Sequence, residues 1–296
     1  MDNIRGSILM VAAMLGFAFE DMFIKLIADA LHVGQILMIL GAGGGVIFAV
    51  LAQRYGDALW SRDLLHPAVL IRNVGEVIGT FGFVTAVALT PISSASAILQ
   101  ATPLAVTIGA ALFLGETVGW RRWVAVTIGL GGVLLVLRPG LDGFDANSLF
   151  AVQGVIGLAI RDLATRRVPS TVTSRQISTY AFLILVPMGA IVLFVSGTTP
   201  VMPGPTDIAR LGGAVLVGVI AYYMLVGATR IGQMSLIAPF RYTRLVFALA
   251  IGIIVFDETI DALTLLGAAI IVTSGIYTLW REARLRRTSL ASKPTL

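Results

Sequence analysis

Ten runs of about 20 predominantly apolar residues follow one another along this chain, separated by short polar turns. They lie near 4–27, 33–53, 67–89, 92–114, 119–138, 148–168, 173–196, 206–230, 233–256 and 260–281, and are numbered here as spans 1 to 10. A run of that length crosses a hydrocarbon core roughly 30 Å thick as an α-helix. The runs are too long and too uniformly apolar for barrel strands with a polar lumen face. Mean hydropathy is +0.93 and only 12% of residues are charged, against about a quarter in soluble proteins, so one aqueous-solvated core cannot bury this apolar surface. The sequence therefore predicts an all-α membrane protein with ten transmembrane helices.

Lysine and arginine segregate along these turns. Arg5, Arg54, Arg62, Arg121, Arg122, Arg166, Arg167, Arg175, Arg230 and the C-terminal Arg281, Arg284, Arg286, Arg287 and Lys293 fall on one side of the expected topology, the basic face. The acidic face has Arg138 and Arg210 among Asp29, Asp142, Asp145, Asp207, Asp257, Glu258 and Asp261. By the positive-inside rule the basic face and both termini are cytoplasmic, which requires an even number of spans. The net charge of +5 is thereby a topology signal, and no nucleic-acid partner is implied. There is no cysteine, and the two histidines, His32 and His66, lie in separate loops, so neither a metal site nor a cofactor is expected. No small-residue cleavage site precedes Glu20 and Asp21, and span 1 is expected to be retained rather than removed as a signal peptide.

A repeat runs beneath the hydropathy. The segment GFAFEDMFIKLI (16–27) aligns with GLAIRDLATRRV (157–168) at an offset of 141, matching Gly16 to Gly157, Asp21 to Asp162 and Lys25 to Arg166. SSASAILQATPLAVTIGAALFLGET (93–117) aligns with SLIAPFRYTRLVFALAIGIIVFDET (235–259) at an offset of 142 without a gap. Two segments giving nearly one offset predict two five-span halves, 1–140 and 141–283, joined by the turn RPGLDGFDAN, and followed by a basic cytoplasmic tail at 284–296 expected to be flexible. An odd number of crossings makes the second half enter from the opposite side, the inverted-repeat architecture of alternating-access carriers.

These residues carry a resemblance. AVALTPISSASAILQATPLAVTIGAALFLGE (86–116), APFRYTRLVFALAIGIIVFDE (238–258) and LLGAAIIVTSGIY (265–277) resemble the EamA-type branch of the drug/metabolite transporter superfamily over nearly the whole chain. The chain departs from that pattern at Asp257, where the second repeat often has Gly, and at Val118 and Ile260, where Pro is common. The resemblance implies a ten-helix carrier of small metabolites in the bacterial inner membrane, commonly working outward, and most like bacterial exporters of amino acids, aromatic ones included.

Counting at 1.5 Å per residue places Glu76, Gln100 and Arg241 near the bilayer midplane. Intramembrane ionisable residues must face the bundle interior or a wet cavity. The candidate binding set is therefore Glu76, Gln100, Tyr222, Tyr223, Arg241, Tyr242 and Arg244. Arg241 or Arg244 would take a substrate carboxylate, Glu76 its ammonium group, and the tyrosines would form walls with hydroxyl handles. A zwitterionic amino acid suits that arrangement. The competing account pairs Glu76 with Arg72 one turn earlier and makes the arginines packing residues.

Glu20, Asp21 and Lys25 fall toward the acidic face, and Arg161, Asp162 and Arg166 toward the basic face. They are candidate gates whose ion pairs form and break, although Lys25 and Arg166 are near enough to water to snorkel instead. Pro103 and Pro239 interrupt spans 4 and 9 and are expected to kink them. Glu116 and Glu258 are expected at the starts of spans 5 and 10, favoured there by the helix dipole. GAGGG (41–45) follows no strand, so close helix packing is expected rather than a phosphate loop. Alternatives are a carrier for another metabolite class (drug, vitamin, nucleotide-like or lipid-linked), a scaffold or lipid-translocating relative, and an intramembrane enzyme. For the last, no Ser-His-Asp set or close catalytic carboxylate pair can be assembled. The sequence leaves the oligomeric state open.

Overall fold

The structure is a computed structural model and describes residues 2–116, 118–141, 144–231 and 237–291. Among these are ten helices long and apolar enough to cross a membrane: Ile4–Ile27, Val33–Arg54, Pro67–Leu89, Ile92–Phe113, Trp120–Leu137, Ala146–Thr165, Ser174–Ser196, Pro205–Ala228, Ala238–Phe256 and Ala262–Arg281. Each falls on one of the ten expected spans. Large apolar side chains remain on the outside of the bundle, among them Ile128, Ile156, Phe194, Leu216 and Ile254. Exposed to water they would be costly, but acyl chains are as apolar as they are. The expected start of span 9 at 233, Asp142 in the connecting turn and Lys293 near the C-terminus lie outside the described residues.

The helices pair in a pattern that a two-fold operation maps onto itself. Span 1 packs along span 8 and span 6 along span 3, while spans 2 and 7 pair with each other, as do spans 5 and 10. Exchanging the halves returns the same set. Glycines set the closest approaches: a methyl group on Gly157 would run into the backbone of Gly79, and one on Gly16 would meet Cβ of Ala221. Those two contacts are equivalent under the repeat offset. Gly41, Gly44 and Gly45 lie against Leu185, Phe182 and Leu183, so the GAGGG cluster is where span 2 meets span 7.

Contacts between loops separate two faces. On one, Arg175 pairs with Asp57, Thr171 donates to Asp63 and Arg166 pairs with Glu116. On the other, Arg138 pairs with Asp261, Ile92 and Ser93 donate to Glu258, and the Gln35 side chain bonds to Val201. Glu116 and Glu258, equivalent in the repeats, thus stand at opposite ends of span 4. Each half crosses five times, consistent with inverted repeats. Both arginines of the acidic face are neutralised there, Arg138 by Asp261 and Arg210 by Asp207 at 3.2 Å.

The turn after the fourth helix of each half has one form. Gly115 (φ 66°) and Asp257 (φ 51°) are left-handed, and the next N–H, of Glu116 or Glu258, donates back to Ala110 O (3.2 Å) or Gly252 O (2.9 Å). Asp257 takes up a glycine conformation that Asp tolerates better than most residues. The turn overturns one expectation, because it swings both glutamates away from spans 5 and 10. Glu258 instead caps the start of span 4, and the carboxylate of Asp261 accepts the Thr264 N–H at 2.9 Å in the first turn of span 10. Glu116 pairs with Arg166, and Gly119 precedes span 5 without a side-chain cap.

Three spans are broken. Span 4 divides into Ile92–Leu99 and Thr102–Phe113, because Pro103 has no N–H for the Leu99 carbonyl. The Thr102 hydroxyl satisfies that carbonyl at 2.6 Å. Span 9 opens as a 3-10 turn, Ala238–Tyr242, around Pro239 before the α-helix Thr243–Phe256. Span 7 divides into Ser174–Leu183 and Leu185–Ser196, where Pro187 leaves the Leu183 carbonyl without its helical partner, a third break beside those expected at Pro103 and Pro239. At the C-terminus the helix of span 10 runs on to Ala291, into the tail expected at 284–296. His32 and His66 cap helices, each accepting a backbone N–H through Nδ1 at 3.2 Å.

Candidate functional site

Spans 3, 6 and 9 bring five charged side chains together inside the bundle. Gly75 and Gly79 let span 6 lie against span 3; a methyl group on Gly75 would sit 2.6 Å from the Arg161 backbone nitrogen. That closeness puts Arg161 3.3 Å from Glu76, whose other oxygen is 2.8 Å from Arg72. Arg161 also pairs with Asp162 at 2.8 Å, and Arg241 approaches the second Asp162 oxygen at 3.9 Å. Arg72, 2% exposed, donates further to Asn73 (3.2 Å) and to the Tyr222 hydroxyl (3.5 Å). Three guanidiniums therefore face two carboxylates. Arg241 is the outlying member, with a third of its side chain exposed and Asp162 as its partner among the described residues.

A second cluster lies toward the acidic face. Arg244 grips Asp21 through Nη2 (2.8 Å) and Nε (3.1 Å), with its guanidinium over the rings of Phe17 (5.1 Å) and Phe83 (4.8 Å). Arg241 lies in the 3-10 turn and Arg244 in the α-helix beyond it, so the two diverge to the repeat-equivalent acids Asp162 and Asp21. Lys25 does not snorkel to water. Its ammonium group donates to Thr90 O at 2.6 Å, and it lies 5.5 Å from the centre of the Phe256 ring. Glu258 fastens the same corner by accepting Ile92 N–H (2.7 Å), Ser93 N–H (3.2 Å) and the Ser93 hydroxyl (2.6 Å). At the basic face the corresponding Arg166 and Glu116 pair with each other at 2.9 Å, both substantially exposed.

The remaining candidates divide. The Gln100 amide and the Tyr242 hydroxyl, equivalent in the repeats, are buried with no hydrogen-bond partner among the described residues. Each such orphan costs about 1–3 kcal/mol. Tyr222 packs against Phe48 (centroids 5.5 Å) and Phe182 (5.9 Å), forming an aromatic wall beside Arg72. Tyr223 is 57% exposed on the outside of span 8 and is not brought to the site. Glu76 is held between two arginines, as the competing packing account requires of its pairing with Arg72. Glu20 lies with its carboxyl over Gly218 and has neither ion pair nor hydrogen bond among the described residues. Sequence reading missed the role of Phe17 and Phe83 as the rings around Arg244, and the part of Ser93 in the corner. Their helix positions carried no charge to mark them.

The profile of the EamA-like transporter family matches residues 4–138 and 147–280. A riboflavin transporter of Vibrio cholerae is 30% identical over 198 residues, 67% of this chain and 66% of that protein. An S-adenosylmethionine uptake transporter of Rickettsia conorii is 22% identical over 90% of this chain and 89% of its own length. A pseudopaline exporter of Pseudomonas aeruginosa is 25% identical over 92% of this chain and 94% of its own. One crystal structure superposes with a TM-score of 0.62 at 16% identity, covering 96% of this chain and 99% of that one, which shows the fold alone.

Proposed function

The chain belongs to the EamA-like transporter family, and we propose that it carries a small metabolite bearing a carboxylate by alternating access through the network of spans 3, 6 and 9. It is a multi-pass membrane transporter rather than an enzyme. The observation that carries the substrate reading is the unequal charge: Arg72, Arg161 and Arg241 against Glu76 and Asp162, with Arg241 held only at 3.9 Å. An anionic group beside Arg241 completes the network. The orphaned Gln100 amide and Tyr242 hydroxyl are further polar contacts awaiting a ligand, and the Tyr222, Phe48 and Phe182 rings suit a partly aromatic one.

Amino acids fit these features. So do other small carboxylates: S-adenosylmethionine, which one relative by name takes up, bears a carboxylate, whereas riboflavin, the named substrate of another, bears none, so that relative supports only the broader class of small metabolites. In this reading the halves 1–140 and 141–283 rock against each other, with the basic face cytoplasmic. Asp21 with Arg244, and Lys25 and Glu258 with the start of span 4, close the acidic side, while Arg161, Asp162 and Arg166 serve the basic side.

Proteoliposomes loaded with labelled phenylalanine, S-adenosylmethionine or riboflavin, challenged by a panel of unlabelled carboxylates and their methyl esters, test the reading. The acids should compete and the esters should not. A charge-assisted hydrogen bond of about 1.5–3 kcal/mol makes Arg241→Gln about ten- to a hundredfold weaker in apparent affinity, with partial recovery in Arg241→Lys. Equal competition by acid and ester, or unchanged affinity in a folded Arg241→Gln protein, overturns it.

A further inference from the structure

We propose that Glu20 is a proton-binding site that is occupied in this conformation, its carboxyl group a neutral acid, and that its protonation is linked to the transport cycle. The linkage rests on the carrier reading above; the proton site does not.

The repeat supplies the comparison. Glu20 in span 1 is equivalent to Arg161 in span 6, and Gly218 in span 8 to Glu76 in span 3. On the second pair the structure has an ion pair, Arg161 to Glu76 at 3.3 Å, with Asp162 as the further partner of Arg161. On the first it has a carboxyl group laid over a glycine, so close that a methyl group on Gly218 would strike it. The same inter-helix contact is thus made once with opposite charges and once with an acid and no cation.

Among the described residues no side chain forms an ion pair or hydrogen bond with Glu20. Asp21, next to it on span 1, adds a like charge, and the nearby Arg244 of span 9 is already gripped by Asp21 through two nitrogens. Arg241, also on span 9, is directed at Asp162, and the Tyr242 hydroxyl lies over Gly275. On span 8, Asp207 and Arg210 pair with each other, Tyr222 is directed at Arg72 and Tyr223 faces outward. Arg72 and Glu76 of span 3 bond to each other. The first half of span 4, Ile92–Leu99, has no titratable side chain. A carboxylate inside a membrane without a cation or hydrogen-bond donor is strongly disfavoured, whereas the neutral acid is tolerated. The proton takes the place of the cation that Arg161 supplies in the other half. It arrives from water, forming the carboxyl O–H bond, and leaves to water as that bond breaks, the Glu20 side chain being partly exposed in this conformation.

Infrared difference spectroscopy on the full chain in lipid tests the site directly. Wild-type protein should show a protonated-carboxyl C=O band at neutral pH that is absent in Glu20→Gln and shifts when glutamate is carbon-13 labelled. Absence of the band at neutral pH, or its persistence in Glu20→Gln, overturns the site. Proteoliposomes with labelled phenylalanine, S-adenosylmethionine or riboflavin test the linkage. Accumulation should follow an imposed pH gradient, collapse with a protonophore, and lose its gradient response in Glu20→Gln. A wild-type flux indifferent to the gradient overturns the linkage. A band that behaves as expected in a protein that moves no probe locates the failure in the carrier reading.

Discussion

The corner where Glu258 meets span 4 sets how readily the acidic side opens, and its strength follows from its bonds. The carboxylate accepts two backbone N–H groups at the first turn of the helix and the Ser93 hydroxyl. Glu258→Gln keeps one oxygen acceptor and places an NH2 donor against donors at the other. Hydrogen bonds to a charged group contribute about 1.5–3 kcal/mol each, and a negative charge at a helix N-terminus about 0.3–1 kcal/mol. Glu258 is partly exposed, so water replaces some of what is lost, and the low end applies: about 1.5–2 kcal/mol in favour of the open corner. At about 1.4 kcal/mol per factor of ten, the open population should rise roughly ten- to thirtyfold.

The chain has no cysteine, so a single reporter can be read without background. Ser94→Cys places a thiol beside the corner, partly buried, and Trp60→Cys places one on the basic face, 64% exposed. In nanodiscs, where both faces meet solvent, Glu258→Gln should accelerate maleimide labelling of the Ser94→Cys reporter by about tenfold and leave the Trp60→Cys reporter unchanged. An unchanged Ser94→Cys rate in a folded protein would refute the reasoning, since it would mean the corner holds nothing closed.

Asp21→Asn should destabilise by about 3–5 kcal/mol because it strands the Arg244 guanidinium between two rings; Asp21→Asn with Arg244→Gln should be closer to wild type, as a double-mutant cycle in thermal unfolding would show. Gly157→Val should abolish folding or cost more than the usual 1–3 kcal/mol or so of overpacking, since the new side chain meets Gly79 backbone rather than a movable side chain, and fluorescence-detected size exclusion reads the loss. Outside the spans, burial pushes the Asp261 carboxyl up, but the Thr264 N–H and hydroxyl and Arg138 outweigh it and hold the group below the usual carboxylate range. A depressed folded value means stability that is present above the unfolded pKa and lost as pH falls through the folded one. Acid titration of Tm should therefore fall more steeply for wild type than for Asp261→Asn below about pH 4.

How far the site was legible in the sequence depended on whether a residue's partner lay in its own helix. The spans followed from apolar run length alone, and the repeat from two offsets. Arg72 with Glu76 is an i, i+4 pair that could be read off span 3. Arg241 and Arg244 sit three apart and suggested one shared ligand, yet Pro239 leaves the chain in a 3-10 turn at the first and an α-helix at the second, and they part to different acids. The glutamates of the two corners were assigned to the following helix because they precede it in sequence. The left-handed residue before each turns it back toward other helices, a consequence of φ at Gly115 and Asp257 rather than of spacing.

The same divergence between otherwise equivalent positions bears on direction. Two copies with identical charges would make the two gates energetically alike, and the carrier would have no reason to favour either opening. Here the turn geometry is shared but its chemistry is not. On the acidic side Lys25 of span 1 bonds to Thr90 O at the end of span 3, and Glu258, just after span 9, caps span 4, fastening four helices through backbone groups. On the basic side Arg166 and Glu116 meet each other in a largely exposed pair, the kind that contributes about 0–1 kcal/mol. Transferring the exposed arrangement to the acidic side tests whether that asymmetry biases the carrier. Lys25→Arg frees the side chain from its bonds to the Thr90 and Val87 carbonyls and lets it pair with Glu258 as Arg166 does with Glu116. It should raise labelling of the Ser94→Cys reporter in the same direction as Glu258→Gln, by a smaller factor, and combining the two should add little, because both release one corner. Full additivity would show that Lys25 and Glu258 hold separate elements, and the single latch would have to be given up.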